Sequence, residues 1–555
     1  MPRTPVPFTF ALVALALALG VARPASAQSA PPSAPSSPDV RPINPTGGWI
    51  NTDGPLTLEG DLKGHVVLLD FWTYCCINCI HVIPMLERLE EKYADEPFVV
   101  IGVHSAKFEA EGDIENIRQA VERYGRRHPI AVDTDFEVWR RFGARAWPTL
   151  VLIGPDGVPV GQVSGEGNEE ILDNAIAELL REGRVAGMLA PPQRRFQLPE
   201  AEAPELDRLR FPGKVTYLAP GDDRDAMLYI ADSSHERFIL TTLPDAEGNA
   251  RVLRTFGDGV RGRRDGGDTA GPAPARFNDP QGSVLDPSTG TLYVADTANH
   301  LIRAVDLSTG TVTTIAGTGE RGYDRSGGQR GIAQPIASPW ALEIDPDRQI
   351  LYIAMAGTHQ IWSMDLRLRV VANLAGSGAE NIYDDTFEDS AFAQPSGLQL
   401  SPDRRTLYAM DTEGSAVRAL DLDTRTVRTL VGRAVANPFT DSSLFDFGNQ
   451  DGATGTGRLQ HAVGIAAWPP NAPERLLLAD TYNNALRWLD PQTGELTTPV
   501  YSDGLELDEP KGLVALPATD TAPARIVIAD TNAHRLLLLD PDTGDATELE
   551  IEGLD

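Results

Sequence analysis

The three cysteines of this 555-residue chain, Cys75, Cys76 and Cys79, fall in one short segment. Cys76-Ile77-Asn78-Cys79 is a C-x-x-C pair that follows directly on the apolar run Val67-Leu68-Leu69-Asp70-Phe71-Trp72. A strand tip opening into a helix is where a redox dithiol belongs. Two intervening residues in a first helical turn bring the sulfurs close enough for a strained, reducible disulfide. The free N–H groups at the positive end of the helix favour a thiolate on the leading cysteine. The chemistry is thiol–disulfide exchange, with Cys76 as nucleophile and Cys79 as resolving thiol. Covalent haem attachment needs a histidine after the second cysteine, where Ile80 stands. Cys76, Cys79 and His81 are copper or zinc ligand types, but helical packing splays them, so neither a metal nor another cofactor is expected.

The elements that must hold the pair can be read around it. Strand-like runs at 65–71, 98–104, 130–133, 150–153 and 158–163 alternate with segments of helical apolar spacing. Ile83, Leu86, Leu89 and Tyr93 share one helical face after the dithiol, and Ile114, Ile117, Val121 and Tyr124 share another. Such alternation implies an α/β layer whose binding edge lies at the carboxyl ends of the strands, where the dithiol sits. His104 ends one strand at the same edge and reads as packed or solvated rather than reactive.

These residues resemble the thioredoxin family, in its secreted branch with an inserted helix and strand. Asp70-Phe71-Trp72 precedes the dithiol as in that family, Pro84 falls where the family kinks its active-site helix, and Gly143-Ala144-Arg145-Ala146-Trp147-Pro148-Thr149 corresponds to its cis-proline loop. The resemblance implies that Pro148 is cis and faces Cys76, and that Asp70 is the buried carboxyl that takes and returns the Cys79 proton. Desolvation supports that role by raising a carboxyl pKa. Trp72, Tyr74, Cys75 and Trp147 stand beside these as supporting residues. The sequence also departs from the family: Cys75 replaces the usual Trp, and Ile77-Asn78 replaces Gly-Pro or Pro-Pro, so a redox potential does not carry over. Cys75 reads first as a small buried hydrophobe, and otherwise as a third redox thiol or a site of oxidative damage. A thiol peroxidase would use Thr73, three residues before Cys76, but Leu69 stands where that motif has proline.

Residues 1–27 read as a signal peptide, with Arg3, the apolar stretch 8–21 and the small-residue site Ala25-Ser26-Ala27. A Pro/Ser-rich linker follows at 28–41. The expectation is a periplasmic or secreted protein without a membrane span after cleavage. A formal charge of −31, from 79 acidic and 48 basic residues, argues against nucleic acid as a partner.

The thioredoxin-like domain is expected over 42–185 and a second linker over 186–208. From 209 to 555 the texture changes to short strands with Gly, Pro and Asp turns, repeated six times around motifs such as Leu292-Tyr293-Val294-Ala295-Asp296-Thr297-Ala298-Asn299-His300. Each unit opens near a Pro-x-Gly-like start, among them Asp279-Pro280, Gln394-Pro395 and Glu509-Pro510. Six four-stranded units imply an all-β six-bladed propeller, and the repeats resemble NHL repeats. The repeated Asp, replaced by Met355 in the third unit, is read as a local turn residue. Long connections such as 376–394 and 432–461 emerge on one face and mark a possible protein-binding surface.

A thioredoxin-like domain with Trp72-Thr73-Tyr74-Cys75-Cys76-Ile77-Asn78-Cys79, followed by an NHL propeller, resembles the NHL-repeat-containing protein 2 family. That resemblance places the dithiol near the groove between the domains. The leading expectation is an extracytoplasmic thiol–disulfide oxidoreductase acting on protein thiols and disulfides with a redox partner protein. A propeller-based scaffold with a structural or sensing dithiol is the rival.

Overall fold

The computed structural model describes residues 41–191 and 206–554, apart from 222–223, 471, 502–503 and 520–521. The proposed signal peptide and most of both linkers lie outside the described residues. The first domain contains β1 (Trp49–Ile50), β2 (Val66–Trp72), α1 (Ile77–Lys92), β3 (Phe98–His104), α2 (Ile114–Arg123), β4 (Ile130–Val132), α3 (Glu137–Phe142), β5 (Thr149–Ile153), β6 (Pro159–Ser164) and α4 (Glu169–Ala186). Its sheet runs β1-β4-β3-β2-β5-β6. β3 is parallel to β2 and β5 antiparallel to it.

β2 is buried along its whole length, as a run that is apolar but for Asp70 requires. Its pleat splits the side chains between two cores: Val67, Leu69 and Phe71 join one with Val138 and Phe142 of α3. Val66 and Leu68 join the other with Val82, Leu86 and Leu89 of α1 and Leu172 and Ile176 of α4. The chain leaves β2 at the centre of the sheet, and α1 begins five residues later with Cys76 at its N-cap.

The six repeat units form six antiparallel sheets in sequence order, the blades of a propeller. Two blades carry a fifth strand absent from the repeat: Gly327–Arg330 pairs with the outer strand of blade three, and Glu550–Glu552 pairs in parallel with the outer strand of blade one. The chain end thereby closes the ring. Inner edges are stitched by one recurring bond, in which a hydroxyl after the second strand donates to the carbonyl of the proline opening the next blade: Ser233 to Pro280, Thr297 to Pro339, Thr481 to Pro510 and, across the closure, Thr531 to Pro212, at 2.7–2.8 Å.

The repeated Asp does more than fix a local turn. Asp296 Oδ1 accepts the N–H of Asn278, which lies before its blade's first strand, while Oδ2 pairs with Arg303 Nη1 at 2.7 Å with both side chains fully buried. Asp411 does the same with Ala393 and Arg418, and Asp480 with Gln460 and Arg487. The staple spans three segments of a blade. Blade three lacks the acid at Met355, and Trp362 stands at the position of the arginine, its Nε1 donating to Gln360 Oε1 at 3.0 Å.

Candidate active site at the domain interface

A second repetition of the propeller builds the surface on which the first domain sits. The residue before each inner strand, namely Phe211, Asp279, Ser338, Gln394, His461 and Glu509, has φ between 46° and 57°, a conformation uncommon outside glycine. Each is held there by its backbone N–H, which donates to a side chain of the preceding blade: in order, to His534, Glu236, His300, His359, Ser415 and Asn484, at 2.7–3.1 Å. The repeated His and Asn of the loop motif have this structural role. The six presented side chains differ, and five of them reach the thioredoxin-like domain.

Gln394 makes the most direct contact. Its amide oxygen accepts Ile77 N–H at 2.8 Å and its amide nitrogen donates to Cys75 O at 2.9 Å, clamping the backbone on both sides of Cys76. Glu509 accepts the Tyr74 hydroxyl at 3.1 Å and pairs with Arg123 at 3.3 Å. His461 lies edge-on to Phe108, and its ring stacks on Tyr482 at 4.2 Å. The loop face expected to receive a foreign protein therefore receives the chain's own first domain.

The dithiol lies inside this contact. Cys76 is 5% exposed and Cys79 fully buried. The Cys79 thiol donates to Cys76 and favours its thiolate, but burial and the carboxylates of Glu413 and Glu380 outweigh that bond, so the Cys76 pKa lies above the ordinary thiol value. The expected lowering by the helix end is thus overcome. Cys79 is raised much further, by burial first and then by its bond to Cys76. Cys76 remains the easier of the pair to ionise, which is the order a nucleophile and a resolving thiol require.

Cys75 is 2% exposed; its N–H donates to Glu111 at 2.9 Å and its thiol lies 3.7 Å from Glu413. Burial, followed by Glu111 and Glu413, holds it well above the usual thiol range, so it behaves as a small buried side chain. Glu413 in turn binds Lys107 at 2.7 Å.

Asp70 does not stand alone behind the pair. Arg126 Nη1 meets its Oδ2 at 2.7 Å, both side chains fully buried, and the guanidinium also lies 3.8 Å over the Trp72 ring. Asp70 Oδ1 has no hydrogen-bond partner. The sequence reading missed this counter-charge because Arg126 lies in a loop 56 residues away. His104 is packed edge-on to Trp72 at 5.0 Å and stacked with Tyr74 at 5.6 Å, and burial lowers its pKa to about 3. The Trp147–Pro148 bond is cis, as the resemblance implies, and Trp147 Nε1 donates to Ser105 O at 3.0 Å. His81 turns to Glu166 at 3.1 Å and Ser338 at 2.7 Å. Glu413, Gln394, Glu509 and Ser338 escaped the sequence reading, although the latter three share the position before the Pro that opens each blade.

The fold and the site define a thioredoxin-like domain with a C-x-x-C pair, seated on an NHL-type propeller. A family model described as thioredoxin-like matches residues 64–158. The chain is 39% identical over 478 residues to Protein SUPPRESSOR OF QUENCHING 1, chloroplastic, of Arabidopsis thaliana, a match covering 84% of this chain and 44% of that protein. It is 39% identical over 497 residues to NHL repeat-containing protein 2 of Gallus gallus, covering 84% and 65%. Over 119 residues it is 31% identical to Thiol-disulfide oxidoreductase ResA of Bacillus anthracis, covering 21% and 66%. The resemblance to the NHL-repeat-containing protein 2 family thus holds along both domains, and the chain spans 44% to 65% of the length of the first two relatives.

Proposed function

We propose that this protein is an extracytoplasmic thiol–disulfide oxidoreductase. Cys76 attacks a substrate disulfide, one substrate sulfur leaves as a thiol, and Cys79 then resolves the mixed disulfide by closing the Cys76–Cys79 bond. Asp70, with Arg126 beside it, is the group placed to receive the Cys79 proton. The observation that carries the reading is the pair itself: Cys76 at the N-cap of α1, bonded to Cys79 and the more readily ionised of the two. The name of the ResA relative supports the same chemistry. The extracytoplasmic setting rests on the apolar stretch 8–21 and Ala25-Ser26-Ala27.

Cys79→Ser should accumulate mixed disulfides at Cys76 under oxidising conditions, resolved by mass spectrometry. Recovery of none, with Cys76 alkylatable in the same sample, counts decisively against the reading. Burial of Cys76 under Gln394 supports a second reading, in which the dithiol senses redox state and alters domain docking. In that case oxidation changes the solution scattering profile while disulfide turnover stays at background.

A further inference from the structure

Three residues drawn from both domains stand in a chain on the wall of the interdomain cavity. Ser338 Oγ lies 2.7 Å from His81 Nε2, and His81 Nδ1 lies 3.1 Å from Glu166 Oε1. Glu166 is fixed from its other oxygen by Arg321 Nη1 at 2.6 Å. All three line a cavity of about 670 Å³ between the domains, within the size range of small-molecule sites. The proton positions are consistent around the chain. With Glu166 accepting the Nδ1–H, Nε2 of His81 is left bare to accept from the serine. The neighbouring His300 Nδ1 is itself an acceptor, because it receives Ser338 N–H at 3.0 Å. Burial, with Arg321 and His359 nearby, holds the His81 pKa well below its ordinary value, so the ring is neutral.

Ser338 shares its left-handed backbone, φ 46°, with the other five presented residues. The His–Glu relay behind it and the cavity before it set this position apart. Two buried donors on the same wall, Trp340 Nε1 and Arg321 Nε, have no hydrogen-bond partner. Both residues belong to the lining of the same cavity. Ile77, Ile80 and Pro84 supply an apolar side.

We infer that Ser338, His81 and Glu166 form a nucleophile, base and orienting acid for acyl transfer, assembled only when the two domains dock, and that the cavity takes a small carboxylic ester or thioester. Ser338 Oγ attacks the carbonyl carbon as its proton passes to His81 Nε2. The bond to the leaving oxygen or sulfur breaks, and that proton goes to the departing alcohol or thiol. Water then attacks the acyl-serine, giving its proton to His81, and the free acid leaves with Ser338 restored.

The test uses the whole chain at pH 8, above the value of about 7 to which burial raises Glu166 against the pull of Arg321. A fluorophosphonate probe and a series of short-chain p-nitrophenyl esters are applied, and the adduct is mapped by peptide mass spectrometry. The expected result is a single adduct on Ser338, with ester turnover and labelling lowered at least about 100-fold by His81→Asn. Where His81→Asn fails to fold, Glu166→Gln is read in its place and should lower both. Wild-type protein that stays unlabelled at Ser338, or labelling that the folded variant leaves unchanged, overturns the inference. Neither outcome bears on the dithiol, which is read at cysteine.

Discussion

Cys76 owes its ionisation to a balance between one favourable bond and a hostile setting. The Cys79 thiol is the largest influence and lowers the Cys76 pKa, while burial and two carboxylates raise it to a net increase. Removing that thiol leaves only the backbone N–H of residue 79 to lower the Cys76 pKa against burial and the carboxylates. Cys79→Ala should shift the pH profile of Cys76 alkylation upward, and Cys79→Ser, which keeps a donor, should shift it less; iodoacetamide rates between pH 7 and 10 report both. Glu343 offers a separate titration. Burial raises its pKa to about 7, and its two oxygens accept only the N–H groups of Ile344 and Leu400 among the hydrogen bonds described. A carboxyl whose folded pKa exceeds its unfolded value of roughly 4.3 binds more protons when folded, so its contribution to stability falls as pH rises through that window. Glu343→Gln should therefore raise the melting temperature at pH 8, with the gain shrinking toward pH 4, as followed by calorimetry. The C-x-x-C pair was legible in local spacing, and the cis bond before Pro148 through the resemblance to thioredoxins. Arg126, Glu413 and Gln394 were not, since each reaches the site from 47 to 338 residues away and only tertiary packing selects it.

At the scale of the element, β2 was readable because burial on both faces demands a run apolar at nearly every position, here at all but Asp70, and the following turn had to open α1. The short α3 was not, because six residues hold less than two helical turns and its start at Phe136, φ 58°, follows no capping rule. The blades were countable from the Ala-Asp-Thr motif, yet the staple was hidden: its arginine lies seven residues beyond the acid and its backbone donor 18 to 20 residues before it. Blade three shows what a blade without the ion pair looks like, with Met355 and Trp362 in its place. Arg418→Gln alone should destabilise by about 3–5 kcal/mol, because it strands Asp411 as a buried unpaired charge. Adding Asp411→Met, which removes the stranded charge and matches blade three at Met355, should recover most of that loss. Urea titrations of the two variants, with Asp411→Met alone completing the cycle, measure the recovery; a double variant no better than Arg418→Gln would show that the charge was not the cost.

At the scale of the whole molecule, the propeller restricts access to the thiol it carries. The two buried bonds of Gln394 are worth about 1–3 kcal/mol together. Gln394→Ala should raise the rate of Cys76 alkylation by about tenfold through easier local opening, while Lys107→Met, which unpairs Glu413, should do so by more. Unchanged rates in both would mean that reagents already reach Cys76 by a route the docking does not guard. The architecture of thioredoxin-like domain and propeller was visible from repeats and motifs, and the resemblance put the dithiol near the groove between them, but the residues that make the contact were not visible, because they differ from blade to blade. Among the described residues no helix is long and apolar enough to cross a membrane.

The six left-handed positions separate geometry from identity. A neighbouring blade fixes where each of these side chains begins, whatever it is, so one letter can be exchanged without disturbing the blade beneath it. The propeller thus works like a keyboard under the thioredoxin-like domain: what that domain meets is spelled in five of six characters, and a new guest, tighter or looser, can be written there one substitution at a time.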